Sequence, residues 1–302
     1  VCSSDPLAID IGGTNLKYGI INRAGRLIEK HSVTTEATDR EAFLAQLSAI
    51  VTQYRDQIKG VGISVPGTVK HPDDTIYGGG ALRFLDQVNL ATVLNLPVPV
   101  SVENDGKAAA LAELWLGHLK GVENGAAVVL GTGVGGGLIF NRQLYSGTHF
   151  QAGELSFLFD TRNLGDIHHS IGWRGSAVHM IERVASALNL ADQHDGYAVF
   201  EAINKRDKIA WPLFEDYAKE IAHLIYNLQT IIDVDRIVIG GGISAQKIVT
   251  ETIQSAYDEM FHSNEMVAAV LTPAEIKASK FANDANLYGA IYHLLLKINA
   301  EV

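Results

Sequence analysis

Of 302 residues only one, Cys2, is cysteine. An internal disulfide is therefore impossible, and so is a four-cysteine zinc site. Cys2 lies near a terminus, where chains fray, and reads as a thiol without function. Positive charge is also scarce. The 24 Lys and Arg stand against 34 Asp and Glu, a formal net charge of −10. That balance disfavours a chain whose task is to grip nucleic acid or an anionic membrane. No apolar run approaches the roughly 20 residues needed to span a bilayer. The opening VCSSDP has neither the basic nor the apolar region of a signal peptide, so a cytoplasmic location is expected. Hydrophobic residues are plentiful, at 47% against 19% charged, as in a globular protein with substantial cores. The length suits about two domains.

Two segments match at an offset of 119, "LAIDIGGTNLKYGIINRAGRL" from Leu7 and "AAVVLGTGVGGGLIFNRQLYS" from Ala126. Each reads as apolar strand, Gly/Thr turn, apolar strand, polar turn. The repeat predicts two structurally similar halves, arranged as two lobes. Elsewhere helical and strand patterns alternate. Helices are expected over 41–54, over 215–232 with Ala218, Ile221, Leu224, Ile225, Leu228 and Ile231 on one stripe, and over 287–298. "GVGISVPG" (60–67) and "RIVIGGGIS" (236–244) read as strands ending in glycine turns. The alternation implies an α/β fold, and the hairpins imply mixed sheets. The lobes are expected at 1–116, joined by a C-terminal helix 287–302, and at 117–286.

"GTGVGG" (131–136) matches a dinucleotide fingerprint, but that fingerprint must open a helix, and "GGLIFN" reads as a strand. No Gly-Lys-Ser/Thr follows, which excludes a P-loop. The remaining readings are two tight turns that need glycine for backbone reasons, or a pair of phosphate-holding hairpins. In the second reading Gly12, Gly13 and Thr14 form one jaw, and Gly131, Thr132 and Gly133 the other. Asp10 at the strand end would repel phosphate unless a cation lay between, so Mg²⁺ held through water is the natural partner. The third turn, Gly240–Gly242, is either a plain helix start or a close approach to an adenosine.

"SVENDGKAAALAELW" (101–115) places Asn104 and Asp105 between an apolar strand and an Ala-rich helix. Asp105 is a good helix cap, and Asn104 could cap equally well. A phosphotransferase, however, needs a base beside the acceptor hydroxyl on a rigid element. A carboxylate of ordinary pKa accepts that proton late while orienting the oxygen for in-line attack. Asp105 fits that role, and Asn104 can bond a sugar hydroxyl.

Together these residues resemble the ROK family (repressors, uncharacterised frames and sugar kinases), over nearly the whole chain. The resemblance rests on "DIGGTNLK" (10–17), "ISVPG" (63–67), "ENDGKAAALAE" (103–113), "LGTGVGGGLIFNRQLYSG" (130–147), "AGE" (152–154), "IGGGIS" (239–244) and "NDANLYGA" (283–290). It implies a two-lobed actin/hexokinase-like ATPase fold and a homodimer. It also implies ATP bound by Asp10, Gly12, Gly13, Thr14, Asn15, Lys17, Gly131, Thr132, Gly133, Gly135, Gly241 and Gly242. Asp105 would be the catalytic base. Gly67, Ala81, Asn104, Asp105, Glu154 and Phe157 would line the sugar, with Arg83 nearby in the same loop as Ala81.

Three departures bear on substrate. The family's Gly-His after the glutamate, whose His contacts sugar and zinc, is here Ser156-Phe157. The cysteine-rich zinc loop is replaced by "HHSIGWRGSAVHMIERV" (168–184). His168, His169 and His179 remain as possible ligands, but the thiolate partners are gone. The sugar loop's usual Asn-Leu is Ala81-Leu82. "GGALRFLD" and "FQAGELSFLFDTR" look most like the zinc-less β-glucoside kinases of the family, which phosphorylate the 6-hydroxyl of a β-linked glucose. An enzyme needing ATP and Mg²⁺ but no zinc is therefore expected. N-acetylmannosamine kinase and glucokinase are the rival readings. A non-catalytic sugar sensor is the reading from another class. The family's repressors carry a helix-turn-helix ahead of the first strand, and here that strand starts at Leu7, so none is expected; Asp105 and both phosphate turns are intact, so an enzyme is expected rather than a sensor.

Overall fold

The computed structural model describes residues 5–159 and 165–300. Cys2 and the stretch Asp160–Arg162 of the β-glucoside-like segment lie outside them. The chain divides into two compact units. The first holds the described residues up to Lys120, Leu144–Ala152, and those from Asp284 on, and the second holds Gly121–Gln143 and Gly153–Asn283. The stretch 144–152 thus falls in the first unit, whereas the sequence assigned all of 117–286 to the second lobe. One bond tying it there is that of the Lys107 ammonium to the Phe150 carbonyl oxygen, at 2.6 Å.

In the first unit β1 (Asp5–Ile11), β2 (Asn15–Ile21) and β3 (Leu27–Thr34) form a meander, followed by α1 (Arg40–Tyr54) and β4 (Ile58–Val65). A small sheet follows, made of β5 (Thr68–Lys70), β6 (Thr75–Tyr77) and β7 (Val88–Asn89). Then come α2 (Leu90–Leu94), β8 (Val100–Asn104) and α3 (Asp105–Leu116). The second unit holds β9 (Gly125–Leu130) and β10 (Val134–Phe140), and the chain leaves it within β11 (Gln143–Tyr145), after Gln143. Beyond Gly153 it continues with α4 (Ile171–Arg174), α5 (Ala177–Ala187), α6 (Gly196–Asn204), α7 (Ala210–Ile232), β12 (Arg236–Gly240), α8 (Lys247–His262), α9 (Glu265–Val270) and β13 (Glu275–Ala278). The chain returns to the first unit in α10 (Ala285–Ala300).

The two large sheets have the same order. One runs β3-β2-β1-β4-β8 and the other β11-β10-β9-β12-β13. In each, an antiparallel hairpin is joined at its first strand by parallel neighbours. The hairpins β1–β2 and β9–β10 are the two copies of the sequence repeat. The fold is α/β with duplicated mixed sheets.

The central strands are buried on both faces, and the face decides the residue size. Leu7, Ile9 and Ile11 of β1 point into the core with Phe43 and Leu47 of α1. Ala8 points the other way, toward Leu287 and Ile291 of α10. The alternation follows from the two-residue strand period. Small residues on the second face let α10 lie close to the sheet. On α7 the expected stripe is buried from Ala218 to Leu228, but Ile231 is 79% exposed. Ile231 lies in the last turn of the helix. Among the described residues no helix is long and apolar enough to cross a membrane.

Candidate active site

In the first unit the Gly/Thr turn is closed by the Gly12 amide donating to the Asn15 carbonyl oxygen at 3.0 Å. Buried Thr35 ties this turn down. Its hydroxyl donates to the Gly12 carbonyl at 2.7 Å, and its amide to the Thr14 carbonyl at 2.9 Å. Gly13 comes so near the Ala81 methyl that a Cβ on Gly13 would stand 2.9 Å from it. The Gly12–Thr14 turn and the loop that carries Ala81 are therefore in contact.

Asp10 and Lys17 face each other across the β1–β2 register. The Lys17 ammonium lies 3.5 Å from Asp10 Oδ2, and Asn286 Nδ2 of α10 donates to Oδ1 at 3.0 Å. Burial is the dominant influence on Asp10 and pushes its pKa up; the Lys17 charge and the Asn286 bond only partly oppose it. A buried carboxylate raised by desolvation gains from a nearby cation, which fits Mg²⁺ approached through water. Asn286 lies 276 residues from Asp10 along the chain, and nothing in the segment 283–290 marks the bond between them.

The structure resolves which residue caps α3. Asn104, the last residue of β8, has extended backbone, and its Oδ1 accepts from the Lys107 amide at 3.1 Å. Asn104 is the cap, and Asp105 is the first helical residue. The Asp105 Oδ1 accepts from the Gly106 amide at 2.7 Å and from Asn104 Nδ2 at 3.0 Å. Asn104 Nδ2 also donates to the Gly67 carbonyl at 3.0 Å. Gly67, Asn104 and Asp105 are thus held as one set, with the carboxylate aligned at a helix N-terminus, where the peptide dipoles favour its charge.

In the second unit the matching turn is closed by the Gly131 amide donating to the Gly133 carbonyl at 3.0 Å. The strand β10 follows directly, as the hairpin reading requires and the dinucleotide fingerprint forbids. Gly135 is paired with Val129 inside the ladder, so it flanks the turn. Ala177, at the start of α5, donates its amide to the Gly131 carbonyl at 2.9 Å. Gly241 has φ +92°, and a Cβ there would stand 2.0 Å from the Leu130 carbonyl oxygen. No side chain fits, so β12 leads into a 3₁₀ turn, Gly242–Ala245, before α8. A cavity of about 640 Å³ opens here, lined by Leu130, Gly131, Ala177, Tyr197, Gly242 and Asn283 among others. Tyr197, on α6, is 90% exposed at its mouth. Nothing in the sequence tied Tyr197 to turns more than 40 residues away on either side.

Glu154, half-buried, leads into the 3₁₀ turn Leu155–Phe157. Ser156 locks that turn to β10, its hydroxyl accepting from the Val134 amide at 2.9 Å and facing the Val134 carbonyl at 3.1 Å. Leu155 is buried and Phe157 is 69% exposed. His168, His169 and His179 do not gather as metal ligands. His168 pairs with Asp166, and His179 lies against Trp173. Among the described residues the side chains that could share a cation are instead His71, Glu103 and His293, a set the sequence did not reveal.

The ROK family model matches residues 6–162 and 175–297. A β-glucoside kinase of Listeria innocua is 30% identical over 97% of this chain and 98% of its own. An N-acetylmannosamine kinase of Haemophilus influenzae is 29% identical over 95% of this chain and 94% of its own. A solved ROK family protein from Streptococcus pneumoniae, in complex with sucrose, is 27% identical and covers 98% of this chain and 99% of its own at a TM-score of 0.85. The chain belongs to the ROK family, among its carbohydrate kinases.

Proposed function

We propose that the protein transfers the γ-phosphoryl group of ATP to the 6-hydroxyl of a glucose unit in a β-glucoside such as cellobiose. The observation that carries the phosphotransfer is the Asp105 carboxylate, released from capping by Asn104 and held instead by Asn104 Nδ2 and the Gly106 amide. The first unit contributes this base, Asn104 for a sugar hydroxyl, the turn Gly12–Thr14 for phosphate, and Lys17. Mg²⁺, held through water by Asp10, would supply the charge that balances the phosphate oxygens. Within the second unit, the turn Gly131–Gly133 is assigned to phosphate, the cavity at Gly242 to the nucleoside, with Gly241 next to it, and Glu154 to ring hydroxyls. Zinc has no part in this reading.

The β-glucoside assignment is supported by Ala81 and Phe157. Both stand where a polar grip on the anomeric end of a free sugar is expected. An apolar, exposed ring suits a stacked second sugar or aglycone, because aromatic faces pack on apolar sugar faces. The named β-glucoside kinase relative points the same way. The test is a side-by-side kinase assay with cellobiose, an aryl β-glucoside, glucose and N-acetylmannosamine, using wild type and Asp105→Asn. The variant keeps size and local bonding and loses the proton acceptor, so kcat should fall on the order of 10²-fold or more while sugar still binds. Wild-type turnover in the variant would refute Asp105 as base. N-acetylmannosamine as the best acceptor would refute the β-glucoside assignment alone.

A further inference from the structure

Beside the β8–α3 junction lies a buried charged cluster that the phosphotransfer chemistry does not use. Glu103, only 1% exposed, precedes Asn104 on β8. Its Oε1 accepts from the Asn104 amide at 2.8 Å. Its Oε2 lies 3.2 Å from His71 Nε2 and 3.7 Å from His293 Nε2. His71, just past β5, places its other nitrogen, Nδ1, 2.6 Å from Asp74 Oδ1. Asp74 Oδ2 accepts from the Lys297 ammonium at 2.8 Å and from the Val102 amide at 3.3 Å. The Phe150 ring stands edge-on to His71 at 5.6 Å.

Both nitrogens of His71 face carboxylate oxygens. Ionised carboxylates only accept hydrogen bonds, so each nitrogen must carry a hydrogen. A neutral ring would set one nitrogen lone pair against an oxygen lone pair in a poorly solvated place. With His71 as imidazolium the charges also cancel: Asp74 and Glu103 against His71 and Lys297. We propose that charged His71 is a positioning residue, clamping Glu103 and through it the Asn104 amide, so that the Asn104–Asp105 turn keeps the geometry needed for proton acceptance. The inference rests on Asp105 being the base.

The groups facing His71 are Asp74, Glu103 and His293, with Lys297 behind Asp74. Burial opposes charge on His71, but its bonds to Asp74 and Glu103 and their charges outweigh burial and hold the pKa up, to about 9. Burial pushes His293 down, so the second ring stays neutral in the neutral range. A divalent cation shared by His71, Glu103 and His293 is the competing use of the cluster. It would displace the imidazolium proton from a set already neutral.

The test uses the full chain with ATP, Mg²⁺ and cellobiose. In His71→Gln, kcat should fall about tenfold or more while the KM for ATP stays within about twofold, because the clamp holds the Asn104–Asp105 turn and none of the groups proposed to bind ATP. Wild-type kcat should fall on an alkaline limb near pH 9, and that limb should be absent in the variant. A folded variant that keeps wild-type kcat and the same limb overturns the proposal. So does stoichiometric zinc or another divalent metal in the purified protein that His71→Gln loses. Should the variant not fold, imidazole NMR of the wild type decides: a neutral His71 ring at pH 7 overturns the clamp, and a charged ring supports it. An active Asp105→Asn would instead remove the base that the clamp serves, a distinct failure.

Discussion

Gly289→Ala should destabilise the protein and slow it, against the expectation from helix propensity. Gly289 lies within α10, and in an isolated helix the change gains about 1 kcal/mol. In the structure a Cβ at this position would stand 1.7 Å from the Ala108 carbonyl oxygen of α3 and 2.3 Å from the Ala108 carbonyl carbon. Both are backbone atoms and cannot swing aside. The helices would have to part by more than about 1 Å, and inserting a methylene into so close a contact costs about 1–3 kcal/mol or more. The steric term therefore wins. Ala108 is three residues from Asp105, so α3 moves with the carboxylate. A misplacement of about 1 Å costs on the order of 10² in turnover. Trp115 of α3 stacks on Tyr292 of α10 at 5.5 Å with the rings nearly parallel, so near-ultraviolet circular dichroism reports the same helix pair. The assay is that signal through a thermal melt, with kcat measured in parallel. A Tm equal to or above that of the wild type, with unchanged kcat, would refute the packing argument.

The folded pKa of His71 is raised to about 9 from 6.5, so its stabilising contribution is complete below pH 6.5 and is lost as pH rises through 9. For this mostly covered ring the full swing is about 3 kcal/mol at most. Urea midpoints from pH 6 to 10 should decline for wild type and stay nearly flat for His71→Gln, and a flat wild-type curve would contradict the clamp. Phe157→His should shift kcat/KM toward free glucose, since it restores a polar group at the proposed anomeric side; an unchanged ratio of cellobiose to glucose would remove Phe157 from the acceptor site.

The sequence by itself determined the duplicated hairpins, the α/β class and the identity of the turns. These signals are local: strand period, glycine turns and helical spacing each sit within a few residues. The pairing of the halves was legible because the repeat preserves both strands and both turns together. What caps α3 was not legible, since Asp and Asn are equally good caps and only the backbone at the β8–α3 junction chooses Asn104. Asn286 on Asp10, Tyr197 at the cavity beside Gly242, and the cluster of His71, Asp74, Glu103, His293 and Lys297 were decided by tertiary structure alone. The members of that cluster come from three distant stretches of chain, and a lone histidine carries no mark of the carboxylates it will meet. Burial then gives the meeting its force. Exposed, the same charges would be screened and nearly silent, but packed between a sheet and a helix they must balance one another.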